Sequence, residues 1–261
     1  MIDLHAHILP GLDDGPRDLD EAVRMCRAAA EDGTRVMVAS PHMLNGVYDV
    51  AREDVFDAIP RLQGAVNESG APVKILPGAD VHLHADLPDL ARRGAVVTLA
   101  DAGVHLLVEM PPDAVPGFVP EMLFSLQLAG LTPIITHPER NAEIQGNRDV
   151  LRPMIERGVL VQVTAASLTG GFGSAALDCA RDLVTRRMAH FVASDAHSAT
   201  GRPPGLSRAR RVVEDLTGSD YARRVFEEWP EKVVSGQRFG VPDPTDAASP
   251  VRKSFWMNWW R

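Results

Sequence analysis

Two histidines near the start of the chain carry its first sign of chemistry. In Met1-Ile-Asp-Leu-His-Ala-His7, a short apolar run at Ile2–Leu4 leads into His5 and His7, two positions apart. In an extended strand, residues two apart share a side, so both imidazoles can close on one cation. Neutral imidazoles and carboxylates are the usual ligands of Zn²⁺, Mn²⁺ and Fe²⁺. Asp13 and Asp14 follow between Gly11 and Gly15, in a loop able to fold a carboxylate back over the same place. A lone HxH pair can equally be two surface histidines on a half-exposed strand, so the remaining chain decides between the two.

The elements that position these groups repeat. Apolar, strand-like runs at Arg35–Ser40, Val73–Leu76, Val104–Val108, Thr132–Thr136, Leu160–Thr164 and His190–Ala193 alternate with segments of helical spacing. Those helices are expected at Asp18–Asp32, Ala51–Asn67, Leu87–Arg93, Pro120–Ala129, Arg148–Arg157 and Ser174–Arg187, with closing helices at Pro204–Leu216 and Ser219–Glu228. Strand-then-helix units predict a mostly parallel α/β sheet with helices outside. Seven of them suit a closed barrel better than an open doubly wound sheet. His5, His7, His42, Asp80, Glu109, His137, Asp195 and His197 all fall at or just beyond the ends of these strands. In a parallel α/β fold that edge is where active sites are built.

Eight imidazoles and carboxylates, with Asp14 as a ninth, exceed the needs of one four-coordinate ion. They suit two or three ions, which can clamp a phosphoryl group and make a nucleophile of bound water. Without thiolates among them, Mn²⁺, Fe²⁺ or Zn²⁺ is expected rather than a structural cysteine-type zinc. A cysteine phosphatase would need Arg six positions after its nucleophile; Cys26 has Asp32 there and Cys179 has Thr185, which excludes that mechanism.

A net charge of −8 argues against nucleic acid held by phosphate neutralisation. Two distant cysteines favour a reducing compartment over a disulfide framework. Neither a signal-peptide pattern nor an apolar run of bilayer length is visible, so a cytoplasmic location is expected.

Taken together, DLHAH, the DDG loop, SPH ending at His42, GAD at Asp80, Glu109, THPER at Thr136–Arg140 and SDAHSATGRPP at Ser194–Pro204 resemble the PHP phosphoesterases. More narrowly, the chain is similar to the bacterial manganese-dependent protein-tyrosine phosphatases of capsule and exopolysaccharide systems, from Met1 to about Gln237. The resemblance implies a distorted (β/α)7 barrel over residues 1–240 with three metal ions, most often Mn²⁺, at its mouth. It implies that His5, His7 and Asp195 hold one ion, with Asp80 shared to a second completed by Glu109 and His137. Asp14, His42 and His197 would hold a third, the family register preferring Asp14 over Asp13. Arg140 and Arg202 would bind the phosphate. The family usually has Glu where this chain has Asp80, one methylene shorter, which bears on how well it bridges two ions. The implied substrate is a phosphotyrosine protein, the tail of a membrane-bound tyrosine kinase.

Other residues have plainer readings. His82 and His84 form a second HxH that could line the substrate mouth without holding metal. His105 and His190 lie at strand starts and are expected to be structural. Asp3 is expected either to orient a ligating histidine or to cap the core. Arg140 could instead pair at a helix start, and Gly201-Arg202-Pro203-Pro204 could be a helix N-terminal turn. Residues 241–261 form a tail in which Phe255, Trp256, Trp259 and Trp260 stand beside Arg252, Lys253 and Arg261. It could fold back on the barrel, or anchor at a membrane surface or partner. Two other functions share this sequence: a small-molecule phosphatase of the histidinol-phosphate type, and a non-catalytic, metal-stabilised interaction protein.

Overall fold

A computed structural model describes residues 1–246. Nine parallel strand segments form the barrel wall: β1 (Ile2–Ala6), β2 (Val36–Ala39), β3 (His42–Met43), β4 (Lys74–Pro77), β5 (Asp80–His82), β6 (His105–Glu109), β7 (Thr132–Thr136), β8 (Leu160–Thr164) and β9 (Phe191–Ala193). They pair in the orders β1-β2-β4 and β3-β5-β6-β7-β8-β9. Two of the seven expected strands are each broken in two. Ala39 pairs with Pro77 and His42 with Asp80, the same register either side of the break. The interruption has local causes. Pro41 has no N–H for a ladder, and Gly78 lies so close to its neighbour that a Cβ would stand 2.5 Å from Val38 Cγ1.

The wall closes between β9 and β1. Ala6 bridges Ala196, the His7 N–H donates to the Ala196 carbonyl at 2.8 Å, and the Asp195 N–H to the His5 carbonyl at 2.8 Å. The molecule is therefore a distorted (β/α)7 barrel. Most of its strand residues are buried, as a parallel sheet covered on both faces requires. The helix Leu19–Glu31 shows how the outer layer attaches: Ala22, Met25, Cys26 and Ala29 face inward at helical spacing. Asp18 caps its first turn, accepting from the Glu21 N–H at 2.8 Å.

Three helices differ from expectation, each through proline or a remote cap. Arg148–Arg157 divides into a tight turn, Arg148–Leu151, and a helix, Arg152–Glu156, where Pro153 removes a donor. The segment expected to begin at Pro204 becomes helical only at Ser207. There the Asp32 carboxylate, from the end of the first helix, accepts from the N–H groups of Leu206 and Ser207 at 2.6 and 2.8 Å. The last helix continues past Glu228 to Val234, through a wide turn at Arg224–Glu228 that precedes Pro230.

Among the described residues no helix is long and apolar enough to cross a membrane. Residues 241–246 run along the barrel, with the Thr245 N–H donating to the Arg186 carbonyl at 2.8 Å. The aromatic and basic stretch 252–261 lies outside the described residues.

Candidate metal centre

His5 and His7 leave β1 on adjoining paths, and their Nε2 atoms stand 3.1 Å apart. Each ring is fixed from behind. His5 Nδ1 donates to Gln162 Oε1 at 2.8 Å, and His7 Nδ1 to Asp13 Oδ2 at 2.6 Å. With the protons held on Nδ1, both Nε2 atoms present lone pairs to each other, a repulsive arrangement that a cation between them would relieve. Burial, aided for His7 by the charges of His197, His5, His42 and Arg202, lowers both pKa values, the direction that favours the ligating form.

Around this pair, three overlapping groups bring their donor atoms within 4.8 Å of one another: His7, Asp14, His42 and His197; His5, His7 and Asp80; and His42, Asp80 and Glu109. Asp80 Oδ2 is the hinge of the arrangement. It lies 3.5 Å from His5 Nε2, 3.6 Å from His137 Nε2 and 3.8 Å from His42 Nδ1, yet it is buried without a hydrogen-bond partner. Its other oxygen accepts from Thr136 Oγ1 at 3.1 Å. The shorter side chain therefore still reaches all three rings, because β5 begins at Asp80 itself. The broken strands bring His42 and Asp80 to the mouth as the first residues of their second halves, rather than as residues just beyond a strand end.

Asp195 completes the ring. Its Oδ1 is 3.5 Å from Nε2 of both His5 and His7. Oδ2 meets Arg140 Nη1 at 3.0 Å and Arg202 Nη2 at 2.6 Å. Burial alone would raise the pKa of this carboxyl, but the charges of His5, Arg140, His137 and Arg202 outweigh it and hold the group below the usual range. Glu109 is depressed likewise: burial opposes ionisation, and contacts with His42, His82 and His137 prevail. His42 is half-buried against the same acids, and Glu109 and Asp80 raise it to about 9 despite desolvation. His137 and Asp195 adopt left-handed backbone angles, φ 34° and 51°, which swing their side chains inward at the strand ends.

The two loop aspartates divide their work. Asp14 Oδ1 faces His197 Nε2 at 3.4 Å and His42 Nε2 at 3.6 Å. Asp13 turns away, accepting from His7 Nδ1 and from the N–H groups of His42, at 3.0 Å, and Gly15, at 2.9 Å. Gly15 is needed there, since a Cβ would lie 2.7 Å from the His7 carbonyl oxygen.

Several side chains stand elsewhere than expected. Asp3 touches no imidazole ring: it accepts from the Ser194 N–H at 2.9 Å and the His5 N–H, sewing β1 to β9, and burial raises its pKa to about 6. The orienting role considered for it belongs to Gln162 and Asp13. His42 and His7 each face two of the three groups, so the division into three separate ion sites is less sharp than the motif register implies. His82 lies at the rim, 3.4 Å from Glu109 and outside all three groups; His84 is exposed. Glu139, in the HPER turn beside Arg140, is fully buried. It accepts from the Thr164 N–H at 3.0 Å and Ser167 Oγ at 2.6 Å.

Two clefts leave the site. One, of about 380 Å³, is lined by His82, Met110, Pro111, Asn141 and Arg140. The other, of about 310 Å³, is lined by Ala166, Asp195, Arg202, Pro203 and Pro204. Phe172 walls both.

The sequence model of capsular polysaccharide synthesis proteins, CpsB/CapC, matches residues 1–235. The chain belongs to the CpsB/CapC family. Among its relatives, the tyrosine-protein phosphatase YwqE of Bacillus subtilis is 38% identical over 84% of this chain and 86% of its own length. The tyrosine-protein phosphatase CpsB of Streptococcus pneumoniae is 26% identical over 91% of this chain and 99% of its own. A solved structure from the pair YwqE and CpsB, described as unique metal-dependent tyrosine phosphatases, superposes with TM-score 0.90 at 34% identity, over 95% of this chain and 100% of that one. The lactonase Lmo2620 of Listeria monocytogenes, 12% identical with TM-score 0.54 over 91% of this chain and 95% of that one, shares the barrel alone.

Proposed function

We propose that this CpsB/CapC family member is a metal-dependent protein-tyrosine phosphatase that regulates capsular or exopolysaccharide synthesis. The observation that carries the reading is the pair of Nε2 atoms 3.1 Å apart, surrounded by three overlapping groups of imidazoles and carboxylates. Such a donor set, with an unpartnered buried carboxylate oxygen at its centre, fits divalent cations. YwqE and CpsB, both tyrosine-protein phosphatases, support the substrate class.

In this reading His5, His7, Asp14, His42, Asp80, Glu109, His137, Asp195 and His197 hold two or three ions, Mn²⁺ foremost, with Fe²⁺ or Zn²⁺ as alternatives. Bound ions supply a water acidic enough to attack at neutral pH and neutralise charge on the phosphoryl oxygens. The chain's own residues do the rest. Arg140 and Arg202 offer planar N–H edges to the phosphoryl group and stabilise its charge as the ester bond breaks. Asp195 aims both guanidinium groups while facing His5 and His7 with its other oxygen. Gln162 and Asp13 lock two imidazoles in one tautomer, so no reorganisation is needed at the moment of reaction. The departing phenolate, with a pKa near ~10, needs little help from an acid. The barrel 1–240 forms the catalytic unit, and its substrate is the phosphotyrosine tail of a membrane-bound kinase.

Steady-state kinetics test this directly. With Mn²⁺ loaded, phosphotyrosine peptides should be hydrolysed at least ~100-fold more efficiently than phosphoserine peptides or histidinol phosphate. Preference for the small-molecule ester would overturn the assignment, and Fe²⁺ and Zn²⁺ run in parallel rank the metals.

A further inference from the structure

Among the described residues, Phe172 is the one side chain that both arginines and both clefts share. It sits in the turn between the helices Ala165–Leu168 and Gly173–Thr185. That turn is folded tightly onto the first helix, the Gly171 N–H donating to the Ala166 carbonyl at 2.8 Å and the Gly170 N–H to the Ser167 carbonyl at 3.2 Å. The first helix is itself tied to the HPER turn through Ser167 and Glu139. The phenyl ring is thus anchored from below by the loop that carries Arg140. The Arg140 guanidinium carbon lies over the ring at 4.9 Å from its centroid, and that of Arg202 at 5.5 Å.

Both guanidinium groups also converge on one oxygen, Asp195 Oδ2. Arg202 Nη2 also donates to the Asp195 carbonyl at 3.0 Å, but two like charges held through one residue have no fixed spacing of their own, and either could turn its remaining donors toward the carboxylate. An aromatic face attracts a cation without consuming its N–H groups, so the ring can fix where each guanidinium lies while its edges remain free for an anion. We propose that Phe172 is a positioning residue that spaces Arg140 and Arg202 to clamp a phosphoryl group. It acts through the arginines and contributes no donor of its own. The proposal rests on the phosphatase reading for its substrate, although the clamp itself can be measured on phosphate alone.

The test is isothermal calorimetry with inorganic phosphate on the Mn²⁺-loaded full chain, paired with p-nitrophenyl phosphate kinetics. Phe172→Leu should weaken phosphate binding about tenfold and raise KM by a similar factor, with kcat falling less. Phe172→Tyr, which keeps the aromatic face, should restore both to within about threefold of wild type. Thermal unfolding of each variant separates this from a loosened loop. Unchanged phosphate affinity in Phe172→Leu, or failure of Phe172→Tyr to restore it in a folded protein, would overturn the proposal. Absence of aryl-phosphate turnover in wild type, with phosphate affinity still dependent on the ring, would defeat the phosphatase reading and leave the clamp standing.

Discussion

Histidines stand at both ends of this barrel, and the two ends treat them oppositely. At the mouth, His5, His7, His42, His137 and His197 each face at least one carboxylate within 4 Å. At the base, His105 and His190 face aromatic rings, Phe239 at 5.9 Å and Trp229 at 6.2 Å between centroids. His190 Nδ1 accepts from the Val161 N–H at 2.9 Å, and its Nε2 is buried without a partner. Burial depresses the base pair, His105 to about 4 and His190 to about 3, with the Arg238 charge adding to the effect on His105. The contrast teaches that residue type alone says little. An imidazole is placed to serve as a ligand where the fold crowds it with acids, and as a packing group where it does not.

The sharpest way to break the contrast is the same substitution at both ends. His42→Ala or Asp195→Ala should lower kcat/KM by roughly 10³-fold or more with the circular dichroism spectrum retained. His105→Ala should cost stability through its cavity yet leave kcat within about threefold. Comparable losses at both ends would refute the division.

A smaller effect is expected one layer behind the mouth. Gln162→Leu removes the acceptor that fixes the His5 tautomer, and should weaken metal binding about 10- to 100-fold, measured by competition with a chromophoric chelator.

A different kind of effect, on stability rather than turnover, lies in the pH dependence of the metal-free protein. His190 binds its proton in the unfolded chain near 6.5 but in the folded chain only near 3. Its contribution is complete above pH 6.5 and is lost on acidification through that window, by about 1.4 kcal/mol per unit. His42 has the opposite sign. Raised to about 9, it stabilises fully below 6.5, and that share is lost as pH climbs toward 9. Urea unfolding across pH should show both limbs, with His190→Met flattening the acid one and His42→Gln the alkaline one.

Much of this was legible before any fold was known. Apolar runs ending in His, Asp or Glu place candidate ligands at one sheet edge, and their number suits a closed barrel better than an open sheet. What stayed hidden depends on contacts between distant segments. Gln162 reads as a stray polar residue inside a strand, and only barrel closure, which sets β8 one strand away from β1, reveals its partner. Glu139 looks like a solvated charge until the helix Ala165–Leu168 covers it. The late start of the helix at Ser207 depends on Asp32, which no local pattern around Pro204 contains. Asp3 was expected at an imidazole or as a core cap because a carboxylate beside HxH suggests the former; the ladder to β9 claims it instead. Phe172 carries no titratable group and so offered nothing to a search for chemistry.

The left-handed turns at His137 and Asp195 have a consequence for how such a barrel could change over time. A side chain in that backbone region costs on the order of 1 kcal/mol that glycine would not. Drift toward a sturdier scaffold would thus favour erasing two members of the cluster at once. A chain with glycine at both positions would relax the backbone and keep the barrel, while losing two of the side chains that crowd its mouth.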